Sequence, residues 1–166
     1  MSIGGHHNPI AKSETWLTPP HIHQALGKFD LDVCAATEAP TWIAPRYFTA
    51  EVDGLSQVWT GRVWCNPPYG AKTGFWLRRM AAHGNGVALI FARTETAMFF
   101  ESVWRAADAV LFLEGRLNFH FPNGQRASAN AGAPSCLVAY GRPNVVALHD
   151  SKIPGHIVDL RKESMF

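Results

Sequence analysis

Residues 62–91 read RVWCNPPYGAKTGFWLRRMAAHGNGVALIF, and this stretch decides the fold. Arg62 to Cys65 is a short apolar strand that stops abruptly at Asn66-Pro67-Pro68-Tyr69-Gly70. Phe75, Trp76, Leu77 and Met80 then recur at helical spacing until Gly84 and Gly86 end the pattern. Val87 to Phe91 is apolar throughout, as expected of a strand covered on both faces. Strand, turn, helix and strand in that order predict an α/β sheet with its site at the strand ends.

Working outward, 97–107 carries Phe99, Phe100, Val103 and Trp104 on one side and reads as a helix, and Ala109 to Leu113 as another apolar strand. Leu117 to Phe121 and Ser135 to Tyr140 read as two further strands, joined by a Gly-, Asn- and Ser-rich loop from Pro122 to Pro134. Val145 to Leu148 and Ile157 to Leu160 are expected to be short terminal strands. Upstream, Thr18-Pro19-Pro20 opens a helix with Thr18 as its candidate cap, and Gly27 or Lys28 ends it. Phe29 to Ala35 alternates like a strand, and 37–60 reads as short turns with one extended piece near Tyr47 and Phe48. The expected architecture is a three-layer α/β domain over residues 14–166, its sheet mostly parallel with an antiparallel edge. Residues 1–13 read as a flexible arm.

Composition narrows the function classes. The 166 residues are 47% hydrophobic and 17% charged, which excludes a disordered chain and suffices for one sizeable core. No apolar run reaches membrane-spanning length and the N-terminus lacks a signal-peptide core, so a cytoplasmic protein is expected. Cys34, Cys65 and Cys136 are widely spaced and odd in number, which fits buried thiols rather than disulfides or zinc. His21 and His23 form an H-x-H, but i and i+2 face apart on a helix, so no metal is expected. The net charge of +2 hides a split: 1–60 carries three basic and six acidic residues, 61–130 eight basic and four acidic. A cationic or neutral ligand in front and a polyanion behind would suit that division.

The Asn-Pro-Pro-Tyr turn carries the chemistry. Two prolines contribute no N–H donors, so Asn66, Pro67 and Pro68 offer acceptors, and Tyr69 adds a flat aromatic face. Converging acceptors beside a stacking plate suit a planar ring bearing an exocyclic amino group.

Here the chain resembles the amino-group methyltransferases that use S-adenosylmethionine, and more narrowly the phage-type DNA N6-adenine methyltransferases. Asn66-Pro67-Pro68-Tyr69 matches their catalytic tetrapeptide. Thr15-Trp16-Leu17-Thr18-Pro19-Pro20 is similar to the segment that closes over the cofactor, and Phe29 to Ala36 to the first strand and its cofactor turn. Asp53-Gly54-Leu55, Arg93-Thr94-Glu95-Thr96 and Gly115-Arg116-Leu117-Asn118-Phe119 are also similar to family segments. The resemblance covers roughly residues 14–140 and implies a Rossmann-like class I methyltransferase fold. It implies S-adenosylmethionine as cofactor, with Trp16, Thr18, Pro19, Asp32, Cys34, Ala35, Glu38 and Asp53 as candidate contacts. Glu38 is the candidate for the cofactor ribose. The chain departs from most class I enzymes in reading Cys-Ala-Ala-Thr-Glu after Asp32 where they carry G-x-G.

The implied reaction is methyl transfer to N6 of an adenine flipped out of double-stranded DNA. Asn66 and the Pro67 carbonyl would accept from the amino group while Tyr69 stacks on the base. Lys72, Arg93, Arg116 and Arg126 are the candidate DNA contacts, with Arg78 and Arg79 as further cations. A core of this length implies that loops 70–74 and 122–134, or a second subunit, read the DNA. A homodimer is left open. The biological context implied is phage self-marking against restriction. Two alternatives are methylation of RNA or a glutamine side chain, and a non-catalytic nucleic-acid-binding module on the same fold.

Overall fold

The computed structural model describes residues 16–39 and 42–161; the arm expected over 1–13 lies outside them. Seven strands form one sheet: β1 (Leu31–Asp32), β2 (Arg46–Tyr47), β3 (Val63–Cys65), β4 (Gly86–Phe91), β5 (Ala109–Leu113), β6 (Ser135–Tyr140) and β7 (Gly155–Asp159). Their order is β2-β1-β3-β4-β6-β5-β7. β1 to β5 run in one direction, while β6 and β7 oppose them. The antiparallel component is therefore not confined to an edge. β6 lies inside the sheet between β4 and β5 and runs opposite to both.

Period and burial explain the layers. Val63, Cys65, Ala88, Ile90, Val110, Cys136 and Val138 face one core, which α2 (Thr73–His83) covers with Leu77 and Met80. Trp64, Val87, Leu89, Ala109, Leu111, Leu137 and Ala139 face a second core, closed by Ile22 of α1 (Pro20–Ala25) and Leu148 of α4 (Arg142–Asp150). Two apolar faces on one sheet make every central strand a continuous hydrophobic run, as β4 and β6 are.

Several expectations change. The helix expected over 97–107 is a single turn, α3 (Ala97–Phe99), that widens into a π-helix over Phe100–Trp104. Thr18 does not cap α1; Pro19 occupies the cap position and contributes no side-chain hydrogen bond. Val145 to Leu148 is helical, within α4, where Pro at the first turn and burial of Asn144 and Leu148 four residues apart outweigh the β-branched Val145-Val146 pair. Leu117 to Phe121 keeps a strand's alternation, with Leu117 and Phe119 buried, but forms no ladder. It touches other backbone through isolated bridges, His120 to Leu17 and to Arg126.

Arg62, at the head of β3, ties the second core together. Its guanidinium donates to Asn144 Oδ1 at 2.7 Å and to the carbonyls of Leu26 and Lys28 at 2.9 and 2.8 Å, and stacks over Phe29 at 4.2 Å. One of the eight basic residues in the middle segment is thus structural. Among the described residues, no helix is long and apolar enough to cross a membrane.

Candidate active site

The parallel strands deliver their carboxyl ends to one edge, and the chain's chemistry collects there. Beyond β1, Val33 N donates to the Trp64 carbonyl at 3.1 Å and Ala35 N to the Phe48 carbonyl at 2.9 Å, so the turn Val33-Cys34-Ala35 is pinned between β3 and β2. A tight turn over 53–56 then lies against it. Asp53 adopts a left-handed conformation (φ 49°), and its carboxylate accepts from Leu55 N at 3.3 Å. Gly54 has no room for a Cβ, which would run into the Val33 carbonyl oxygen and the Trp76 ring. Trp59 Nε1 donates to the Gly54 carbonyl at 2.7 Å, and Arg79 donates to the carbonyls of Leu55 and Gln57 while stacking on Trp59 at 4.8 Å. Arg79 is therefore a brace for this turn rather than a free DNA-facing cation.

These segments enclose a cavity of about 540 Å³. Of the sequence-predicted residues, Trp16, Cys34, Ala35, Asp53, Asn66, Pro67, Pro68, Tyr69 and Lys72 line it. A smaller adjoining cavity of about 100 Å³ shares Ala35 and is lined by Thr18, Asp32, His23 and His120. Pro19 and Glu38 line neither: Pro19 is buried at the head of α1, and Glu38 points to solvent. Glu38 thus sits apart from the large cavity it was expected to serve.

Asp32 is the electrostatic anomaly. Its side chain is buried, its carboxylate accepts from Cys34 N at 3.1 Å, and burial raises its pKa from 3.8 to about 7 against the pull of that bond. Burial, reinforced by the Asp32 charge, pushes the Cys34 thiol up to about 12, so this cysteine remains a thiol.

Asn66 has a defined orientation. Its Nδ2 donates to the Trp16 carbonyl at 3.4 Å and to Thr18 Oγ1 at 3.2 Å, while Tyr69 Oη donates to its Oδ1 at 3.2 Å. A carbonyl can only accept, so the end of the amide facing Trp16 is the NH₂ and the oxygen turns towards Tyr69. Burial pushes the Tyr69 phenol up, which keeps it a donor. The turn itself is closed by Thr73, whose Oγ1 donates to the Pro68 carbonyl at 2.7 Å and accepts from Gly70 N at 3.1 Å.

On the other side of Tyr69 is an aromatic cavity of about 350 Å³. Tyr69 stacks on Phe91 with ring centroids 4.1 Å apart and planes 12° from parallel, and meets Phe119 edge-on at 6.2 Å. Trp16 packs on Phe121 at 5.4 Å, and residues 127–132 form the remaining wall. Trp16 and Tyr69 line both this cavity and the large one, so Tyr69 is a partition between them. Phe91, Phe119 and Phe121 are site residues that sequence reasoning assigned no role. Their signal was weak: an aromatic at a strand end, and an i, i+2 aromatic pair beside the Asn- and Ser-rich loop.

The four candidate DNA contacts are all exposed around these cavities. Arg93 lines a groove of about 750 Å³ with Arg78 between the 70–74 turn and α3. Arg116 donates to the Gly132 carbonyl at 3.3 Å and Arg126 to Asn118 Oδ1 at 3.1 Å, so each braces the 114–134 loop. Among the described residues, no group of three or more His, Cys, Asp or Glu is placed to hold a metal ion.

Comparison with curated proteins returned no match, and neither did comparison with solved structures. Family comparison did: the chain that carries this oriented amide at the carboxyl end of a parallel strand matches the DNA N-6-adenine-methyltransferase (Dam) family over residues 5–147, and it is a member of that family.

Proposed function

We propose that this chain transfers the methyl group of S-adenosylmethionine to the N6 amino group of an adenine turned out of double-stranded DNA, on a Rossmann-like class I methyltransferase fold. The family supports DNA adenine methylation in general. The observation that carries the finer reading is Asn66, which lines the large cavity with its amide oriented by three hydrogen bonds, beside the Tyr69 that lines both cavities. The family's DNA substrate also favours this over an RNA base or a glutamine side chain.

The residues fit the cofactor. Asp32 is a buried carboxylate held near a pKa of about 7, so a nearby cation would be favoured by its ionisation. The close approach enforced at Gly54 leaves a cleft between apolar walls from Val33, Leu55 and Trp76. Asp53, Cys34 and Ala35 would hold the group in the large cavity, with Asp32 behind them. When bound, S-adenosylmethionine supplies an electrophilic methyl group on its sulfonium.

The protein's own part is to prepare the nucleophile. The N6 lone pair of adenine is delocalised into the ring. Asn66 Oδ1 has two lone pairs and gives one to Tyr69, leaving the other for an N6–H. The Pro67 carbonyl accepts the second N–H; the Pro68 carbonyl is already engaged by Thr73. Both bonds strengthen as the nitrogen becomes pyramidal and positive, so they favour the transition state over the ground state. The N6 proton is lost after the new N–C bond forms, when it is acidic, so no strong base is needed. Phe91 stacks on the Tyr69 ring, a contact worth about 1 kcal/mol that holds the ring in place. Residues 70–74 border the basic groove and residues 119–132 the aromatic cavity, which places both segments to contribute to site specificity.

Asn66→Ala tests the assignment. Turnover on duplex DNA falls by about a hundredfold or more, as for loss of one preorganised charge-stabilising group, while calorimetric affinity for S-adenosylmethionine is retained. Parallel loss of both would mean that Asn66 holds the cofactor or the fold.

A further inference from the structure

We propose that Thr18 is a positioning residue for Asn66, fixing the amide that receives the adenine amino group, rather than a contact to the cofactor. The inference rests on Asn66 acting as that acceptor. The two ends of a primary amide are nearly the same shape. If Asn66 turned over, its NH₂ would face the adenine NH₂, donor against donor, and the site would repel its substrate. Tyr69 Oη cannot prevent this, because a hydroxyl donates and accepts. The Trp16 carbonyl can, but its contact is long at 3.4 Å. Thr18 Oγ1, at 3.2 Å, is the second anchor that holds the amide plane against that carbonyl.

Three further observations assign Thr18 this duty. It is buried, with 6% of its surface exposed. Its hydroxyl makes no capping bond to α1, although it stands just ahead of that helix. Its backbone neighbour Leu17 exchanges two hydrogen bonds with His120, at 2.8 and 3.0 Å, which fixes the height of Trp16–Thr18 over Asn66. The same bridge anchors Trp16–Thr18 to the 114–134 loop, so the segment that orients the acceptor is held by the loop that borders the aromatic cavity.

The test compares wild type, Thr18→Val and Thr18→Ser for kcat and KM on duplex DNA, calorimetric affinity for S-adenosylmethionine, and Tm. Thr18→Val lowers kcat roughly tenfold, the equivalent of one hydrogen bond, with cofactor affinity and Tm unchanged, and Thr18→Ser restores it. Thr18→Ala replaces Thr18→Val if the latter melts early. The proposal is overturned by an unchanged kcat in the variant, by a loss that appears in cofactor affinity instead, or by failure of Ser to rescue. A wild-type protein that forms no N6-methyladenine overturns the reading of Asn66 itself, a result distinct from an active wild type indifferent to Thr18.

Discussion

Replacing Asp32 by Asn separates the demands of folding from those of the site. In the folded chain the carboxyl titrates near pH 7, against 3.8 for its ordinary value, because burial disfavours the charge. The folded state therefore holds a proton that the unfolded chain has released. Stability from this source is complete below about pH 4 and is lost as pH rises through about 7. The full shift corresponds to roughly 4 kcal/mol, and the part lost between about pH 5 and 8 to roughly 2–3 kcal/mol. Asn keeps an oxygen for the Cys34 amide but has no charge to bury. The variant should thus gain on wild type as pH rises, and the Tm difference should widen by roughly 5–10 °C over that range for a chain of this size. His23 and His120 line the same cavity, so the two proteins are compared at each pH, which removes contributions they share. Melting followed by circular dichroism is the assay. Parallel Tm curves from pH 5 to 8 would refute the buried-carboxylate argument. The same substitution should weaken S-adenosylmethionine binding.

Other perturbations address other parts of the site. Tyr69→Phe keeps the stack on Phe91 but removes the donor to Asn66 Oδ1, and should lower kcat roughly three- to tenfold with little change in Tm. Gly54→Ala drives a methyl into the Val33 carbonyl and the Trp76 ring, and thermal denaturation should register a loss of about 1–3 kcal/mol together with weaker cofactor binding. Neutralising Arg93, which makes no brace to the 114–134 loop, should lower DNA affinity evenly across sequences and reduce the slope of log K against log salt by about 0.9.

How much of this could be read from the chain depends on where each element's cause lies. β5 and β6 match their apolar runs residue for residue, because strands covered on both faces need no external information. The Asn66 turn is equally legible, since two prolines after an apolar run can only end a strand. Leu117 to Phe121 fails as a strand because its alternation is real but its backbone hydrogen bonds are divided among Leu17, Gln125, Ala127 and Ala131 and extend no ladder. The Asn66 orientation was hidden because its anchors lie 48 and 50 residues upstream. Phe91 gave no sign that it backs Tyr69, because an aromatic ending a buried strand is ordinary. Arg79 looked like a free cation and is a brace, a distinction that charge counting along a sequence does not contain.

The proposed function requires that adenine in DNA receive a methyl group at N6 through Asn66. Its most direct test is nucleoside mass spectrometry of duplex DNA incubated with the wild-type protein and S-adenosylmethionine carrying a labelled methyl group, with Asn66→Ala alongside. Labelled N6-methyladenine with wild type, and none above background with the variant, is the expected result. Label in another nucleoside, or equal label with both proteins, would rule out N6 transfer through Asn66.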